Sequence, residues 1–144
     1  FESVLCTLDW HPMDHCSFVP QGGTWPVHCV QHTHGAALYQ KLVDILPSKK
    51  LHVFLKGTNK KCDEYSFLDN SKNAKEFIRF ISKKSIEEIV LCGIAGDVCV
   101  MNTARSLIAM GLKDKITLLL PAIASLDEAV LMNFIEQENL KTTR

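Results

Sequence analysis

The basic residues of this sequence form no run longer than a pair, no apolar stretch reaches membrane-spanning length, and its six cysteines make no CxxC pair. Each absence removes a class of function. Sixteen basic and sixteen acidic residues cancel. The basic pairs Lys49-Lys50, Lys60-Lys61 and Lys83-Lys84 are too scattered for a phosphate-binding face, which argues against nucleic acid as a partner. Without a long apolar run or a signal-peptide pattern, the expectation is a soluble protein that uses no membrane. Cysteines 6, 16, 29, 62, 92 and 99 lack the density of a disulfide framework, so reduced thiols and a cytoplasmic location are expected. There is also no internal repeat and no low-complexity segment. What remains is an ordinary globular composition, 47% hydrophobic and 22% charged over 144 residues. That is read as one domain spanning 1–144, large enough to bury about two thirds of its unfolded surface.

Apolar β-rich runs at 3–8, 51–55, 88–92 and 116–120 read as strands. Helical spacing at 35–46 stops at Pro47; Ala74, Phe77, Ile78 and Ile81 mark the buried side of a second helix. A third helix runs from Val98 to Met110 and is closed by Gly111, and a fourth covers 126–138. Residues 10–25 and 58–69 read as loops, the first too rich in histidine, aspartate and phenylalanine to be a mere linker. The polar tail, 136–144, is left without an assigned element. The run 116–120 is nearly all apolar, as a strand covered on both faces would be. Strands alternating with helices, and apolar throughout, predict an α/β fold of three layers, α-β-α, around a mostly parallel central sheet. In such sheets chemistry gathers at the carboxyl ends of the strands, where Asp9, Lys56 and the turn before Cys99 fall.

The stretch IVLCGIAGDVCVMNTA, residues 89–104, reads as a buried strand, a tight turn and a helix start. Cys99 at the opening of a helix is a candidate nucleophile, because the free N–H groups and the positive dipole end favour thiolate; the alternative is a small buried hydrophobe. Asp9 and His11, two apart at a strand end, project from one face, and with His28 they supply a carboxylate and two imidazoles. That set suits zinc, iron or manganese and leaves coordination positions open. Among histidines 11, 15, 28, 32 and 34, others would simply be surface residues. Lys56 is either a solvated strand end or a fixed ammonium beside a thiol. Trp25 and Tyr65 either pack on the core or make a slot for a planar ring. Phe18 is expected in the core.

Five motifs, DWHPxxHxSF (9–18), GTWPVHCV (23–30), FLKG (54–57), YSF (65–67) and CGIAGDVCV (92–100), resemble the nicotinamidases of the isochorismatase-like cysteine hydrolases. The resemblance implies hydrolysis of nicotinamide to nicotinate and ammonia, the first step of a route that recycles the vitamin into NAD. It implies that Cys99 attacks the carboxamide carbon to form a thioester, and that Lys56 is catalytic. The backbone N–H groups of Ala95 and Cys99 would form the oxyanion hole, where losing one donor costs about a hundredfold in rate. Trp25 and Tyr65 would contact the ring, while Asp9, His11 and His28 would hold a divalent metal, zinc first, that binds the pyridine nitrogen. It further implies a cis peptide between Ile94 and Ala95. His15 matches a position that ligates metal only in some members and is left out of the site.

One feature of the resembling family is not matched. Its members begin with a strand carrying a proton-carrying aspartate, in a VDVQxDF-like motif, whereas this sequence starts at Phe1 immediately before the expected second strand. The expectation is a chain lacking its first strand, poorly active unless that strand and its Asp are supplied. Alternative readings are an amidase for another small amide, such as pyrazinamide or a carbamoyl compound, and a non-catalytic metal- or ligand-binding subunit. Homo-oligomerisation is left open.

Overall fold

The computed structural model describes residues 2–46 and 51–143. The chain divides into two compact units, Phe1–Phe67 and Leu68–Arg144. In the first unit, β1 (Val4–Asp9) lies parallel to β2 (Leu51–Lys56), in an unbroken register from Val4 opposite Leu51 to Asp9 opposite Lys56. Both strands fall where the apolar runs predicted, and both end on a charged residue. The core of this unit gathers Phe18, Ala36, Phe54 and Phe67, with the rings of Phe54 and Phe67 5.0 Å apart.

The helix expected over 35–46 is shorter. Residues His34–Ala36 form a 3-10 turn, Ala37 is extended, and helix α1 covers only Gln40–Ile45. Gly35 disfavours helix, and no side chain caps either start, so nothing locks the earlier turn into a continuous helix. Leu42 and Ile45, two of its apolar residues, are exposed. Pro47, the expected stop, lies outside the described residues.

The second unit holds a three-stranded parallel sheet in the order β3 (Ile89–Ile94), β4 (Ile116–Ala124), β5 (Lys141–Thr143). Around it lie α2 (Ser71–Ser82), α3 (Met101–Ala109) and α4 (Glu128–Gln137). Asn70 caps α2 by accepting from the N–H groups of Lys72 and Asn73, and Asp127 caps α4 through Ala129 N–H. That cap places the start of α4 after Leu126, which is exposed. On α2 the buried positions are Asn73 and Phe77; Ile78, predicted on the buried side, is exposed because it lies a third of a turn away from Phe77.

Two strand expectations need correction. β3 is expected to be buried, yet Cys92 and Ile94, two residues apart and so on one face of the strand, are exposed. β4 runs past Leu120 to Ala124: the step from Leu91 to Gly93 on β3 is matched by Leu118 to Ile123 on β4, and Pro121, which has no N–H to give, sits inside that bulge. Its first three residues, Ile116, Thr117 and Leu118, are buried, while Leu119 and Leu120 are half-buried. The tail contributes β5, which pairs with Thr117, Leu118 and Leu119 of β4. Among the described residues no helix is long and apolar enough to cross a membrane.

Candidate active site

In the first unit the β1–β2 register delivers Asp9 and Lys56 opposite one another. The Lys56 ammonium, 3% exposed, donates to Asp9 Oδ1. Beyond β1 the ladder continues for one bond, Trp10 N–H to Lys56 C=O at 2.9 Å, and the chain then exchanges partners. His11 N–H donates to Cys29 C=O (3.0 Å) and His11 C=O accepts from Gln31 N–H (2.8 Å), which draws His28 to the end of β1. One ligand atom from each of Asp9, His11 and His28 lies within 4.8 Å of the others.

The two imidazoles are oriented by backbone carbonyls. His11 Nδ1 donates to Gly57 C=O at 3.1 Å and His28 Nδ1 to Pro26 C=O at 2.7 Å. A carbonyl only accepts, so each neutral ring carries its proton on Nδ1 and keeps the Nε2 lone pair free for coordination. His11 Nε2 is 3.7 Å from Asp9 Oδ1. Burial lowers the His11 pKa from its ordinary value, His15 and His28 adding to the effect, against the opposing pull of Asp9 and Gly57. A neutral, buried imidazole is the form a metal takes. A carboxylate and two imidazoles, that of His11 buried, fit a divalent transition metal.

His15 is near this group, 4.3 Å ring to ring from His11, but its nitrogens are committed elsewhere. Nε2 donates to Cys62 C=O (3.2 Å), and Nδ1 accepts from Ser17 N–H (3.3 Å) and meets Ser17 Oγ at 2.7 Å. Fully buried, His15 ties the two loops of this unit together. Phe18, also fully buried as expected, packs edge-on against His11 and His28 at 5.5 and 5.4 Å. Trp25 Nε1 donates to Tyr65 Oη at 3.1 Å, and the Trp25 ring lies 6.2 Å from that of His28. Trp25 is held in a short ring of backbone bonds: Val19 N–H to Trp25 C=O, Trp25 N–H to Ser17 C=O, and Gly23 N–H to Phe18 C=O. A side chain at Gly23 would strike the Ser17 carbonyl at 2.1 Å, whereas Gly22, at the tip, meets nothing within 4 Å.

Sequence reasoning missed two residues here. Gly57, at φ +64°, presses so closely on His11 that a Cβ would lie 2.2 Å from the ring. Buried Glu64 accepts from Gly57 N–H at 2.6 Å. A glycine directly after a strand-end lysine was the available signal for the first; a carboxylate in a polar loop gave none for the second.

In the second unit β3 ends in the cis peptide Ile94–Ala95 that the resemblance implied. The helix then begins earlier than Val98, with a π turn over Gly96–Val100 in which Val100 N–H reaches back five residues to Ala95 C=O (3.1 Å), before α3 takes over at Met101. Cys99, half-buried, lies within this wide turn. Gly96 allows the turn to sit against β4 and α4, since a Cβ there would come within 2.3 Å of Ser125 Oγ and 2.6 Å of Ile123. Asp97 accepts from the N–H groups of Leu126 (2.9 Å) and Asp127 (3.0 Å). Burial would raise its pKa, but these bonds bring it below the ordinary carboxylate value.

Residues 3–137 match the isochorismatase domain. The chain belongs to the isochorismatase domain family. Within that family it is 34% identical over 130 residues to the nicotinamidase of Escherichia coli K12, covering 78% of this chain and 59% of the relative. The chain thus spans about six tenths of that relative's length. Among solved structures it is similar to the pyrazinamidase of Pyrococcus horikoshii in complex with zinc (29% identity, TM-score 0.82, covering 99% of this chain and 75% of that one). It is likewise similar to PnC1 from L. infantum in complex with nicotinate (28% identity, TM-score 0.82, covering 100% of this chain and 72% of that one). These likenesses bear out the expected isochorismatase-like α/β fold.

Proposed function

We propose that the whole chain serves one hydrolase, a metal-dependent amidase that converts nicotinamide to nicotinate and ammonia in the cytoplasm as an entry to NAD recycling. The observation that carries this reading is the convergence of Asp9, His11 and His28, both rings presenting Nε2. The likeness to a zinc-bound pyrazinamidase and to a nicotinate-bound relative supports it. A divalent metal bound to these three residues, zinc first, would supply an open position for a ring nitrogen or water.

The chain's own residues do the remainder. Trp25 and Tyr65, locked by their hydrogen bond, offer a rigid aromatic pair for a planar ring. Lys56 supplies a fixed positive charge, directed by Asp9. The Cys99 sulfur attacks the carboxamide carbon, the N–H groups of Ala95 and Cys99 stabilise the oxyanion, and the C–N bond breaks with a proton transferred to the departing ammonia. Water then cleaves the thioester, releasing the carboxylate and restoring the thiol.

Ammonia release from nicotinamide by the full-length protein tests this. Removal of metal with a chelator, or Cys99→Ala, should each abolish turnover. Activity that survives Cys99→Ala refutes the thioester route, and metal uptake without any turnover points instead to a binding subunit.

A further inference from the structure

Glu64 belongs to no sequence motif that pointed to chemistry, yet it is a buried carboxylate at the centre of a relay of backbone bonds. Its Oε2 accepts from Gly57 N–H at 2.6 Å. The same peptide unit is held from its other side, since Lys56 C=O accepts from Trp10 N–H at 2.9 Å, and Trp10 stands between Asp9 and His11. Gly57 C=O in turn accepts from His11 Nδ1 at 3.1 Å. Gly57 has a left-handed backbone, φ +64°, and touches the His11 ring, so a small rotation of this residue moves the imidazole directly. The Glu64 carbonyl also lies 3.5 Å from Lys56 Nζ. One loop residue thereby fixes the peptide that joins the buried lysine to the carbonyl acceptor of His11.

We propose that Glu64 is a positioning residue for the metal centre. By pinning Gly57 N–H it aims Gly57 C=O at His11 Nδ1, and so sets both the tautomer and the direction of the His11 Nε2 lone pair. The inference rests on the metal-site reading above and adds to it a residue outside the Asp9, His11 and His28 set. What the geometry uses is an acceptor at the end of a three-carbon side chain. Glutamine therefore substitutes, and leucine, of similar volume but without an acceptor, does not.

The test compares the full-length parent with Glu64→Leu and Glu64→Gln. Zinc affinity is read by competition with a chromophoric chelator, ligand geometry by the visible absorption of the cobalt(II) form, and the His11 tautomer by ¹⁵N shifts of the metal-free protein. Outer partners of a ligating histidine typically govern about ten- to a hundredfold in metal affinity. Glu64→Leu should lose affinity in that range, with an altered cobalt spectrum and His11 signals of mixed tautomers. Glu64→Gln should keep the parent's values in all three. If the leucine variant fails to fold, by circular dichroism, Glu64→Asp takes its place, its acceptor withdrawn by one methylene. Parent-like zinc affinity and parent-like His11 shifts in Glu64→Leu overturn the proposal. If the parent takes up no zinc, the metal reading falls, and the metal-free ¹⁵N comparison still decides whether Glu64 sets the ring.

Discussion

Replacing Gly57 by alanine tests how tightly the end of β2 and the histidine pair are coupled. Gly57 has φ +64°, where an L side chain costs about 1–2 kcal/mol. Alanine recovers about 0.4–1 kcal/mol of this by restricting the unfolded chain. The larger part comes from contact: a Cβ would lie 2.2 Å from His11 Cε1 and 2.3 Å from Nδ1, so the ring must retreat by about one and a half ångströms to reach van der Waals distance. That movement breaks the bond from His11 Nδ1 to Gly57 C=O, leaving a buried group unsatisfied at a cost of about 1–3 kcal/mol. The net expectation is a loss of about 2–3 kcal/mol, or roughly 5–10 °C in Tm for a domain of this size. Zinc affinity should fall at the same time, since the Nε2 lone pair turns with the ring. Thermal melts and zinc titration of parent and variant measure the two effects. A Gly57→Ala protein that melts within 1 °C of the parent and binds zinc equally well would refute the reasoning.

Three other outcomes are expected. Phe18→Ala, which empties a fully buried position beneath His11 and His28, should cost about 3–5 kcal/mol in denaturant unfolding. Burial holds the His11 pKa below its ordinary value in the folded chain, so the unfolded chain binds the proton more readily; this contribution to stability is complete above about pH 6.5 and is lost as pH falls through the lower folded value. Zinc affinity should drop over the same acid range, and an affinity that is flat from pH 7 to 5 would contradict it. Asp97, depressed by two backbone N–H groups despite its burial, contributes stability that is present above the ordinary carboxylate value and lost as pH falls through the folded one. Asp97→Asn should therefore flatten the acid limb of the stability curve, and an unchanged limb would count against the role given to those bonds.

What could be read beforehand follows from how local each signal is. Strands β1 and β2 announce themselves as apolar runs closed by charge, and the pairing of Asp9 with His11 needs only the alternation of side chains along an extended chain. His28 joins them through a bridge to Cys29 and Gln31 that no spacing encodes. Glu64 was illegible for a similar reason: its partner, the Gly57 N–H, is identified only once the loop has closed. The strand Lys141–Thr143 is three exposed polar residues, made regular by the ladder offered by β4 and not by any hydrophobic pattern. The early end predicted for β4 reflects Pro121, a breaker in most strands but accommodated here where the register slips.

The small ring of backbone bonds around Trp25 separates two adjacent glycines with opposite fates. Gly23 is locked beneath the Ser17 carbonyl, while Gly22 at the apex faces open space. An affinity peptide or a fluorophore-bearing turn grafted between Gln21 and Gly22 would therefore leave the indole anchored by the same backbone clasp, giving a reporter attachment point a few residues from the aromatic pair.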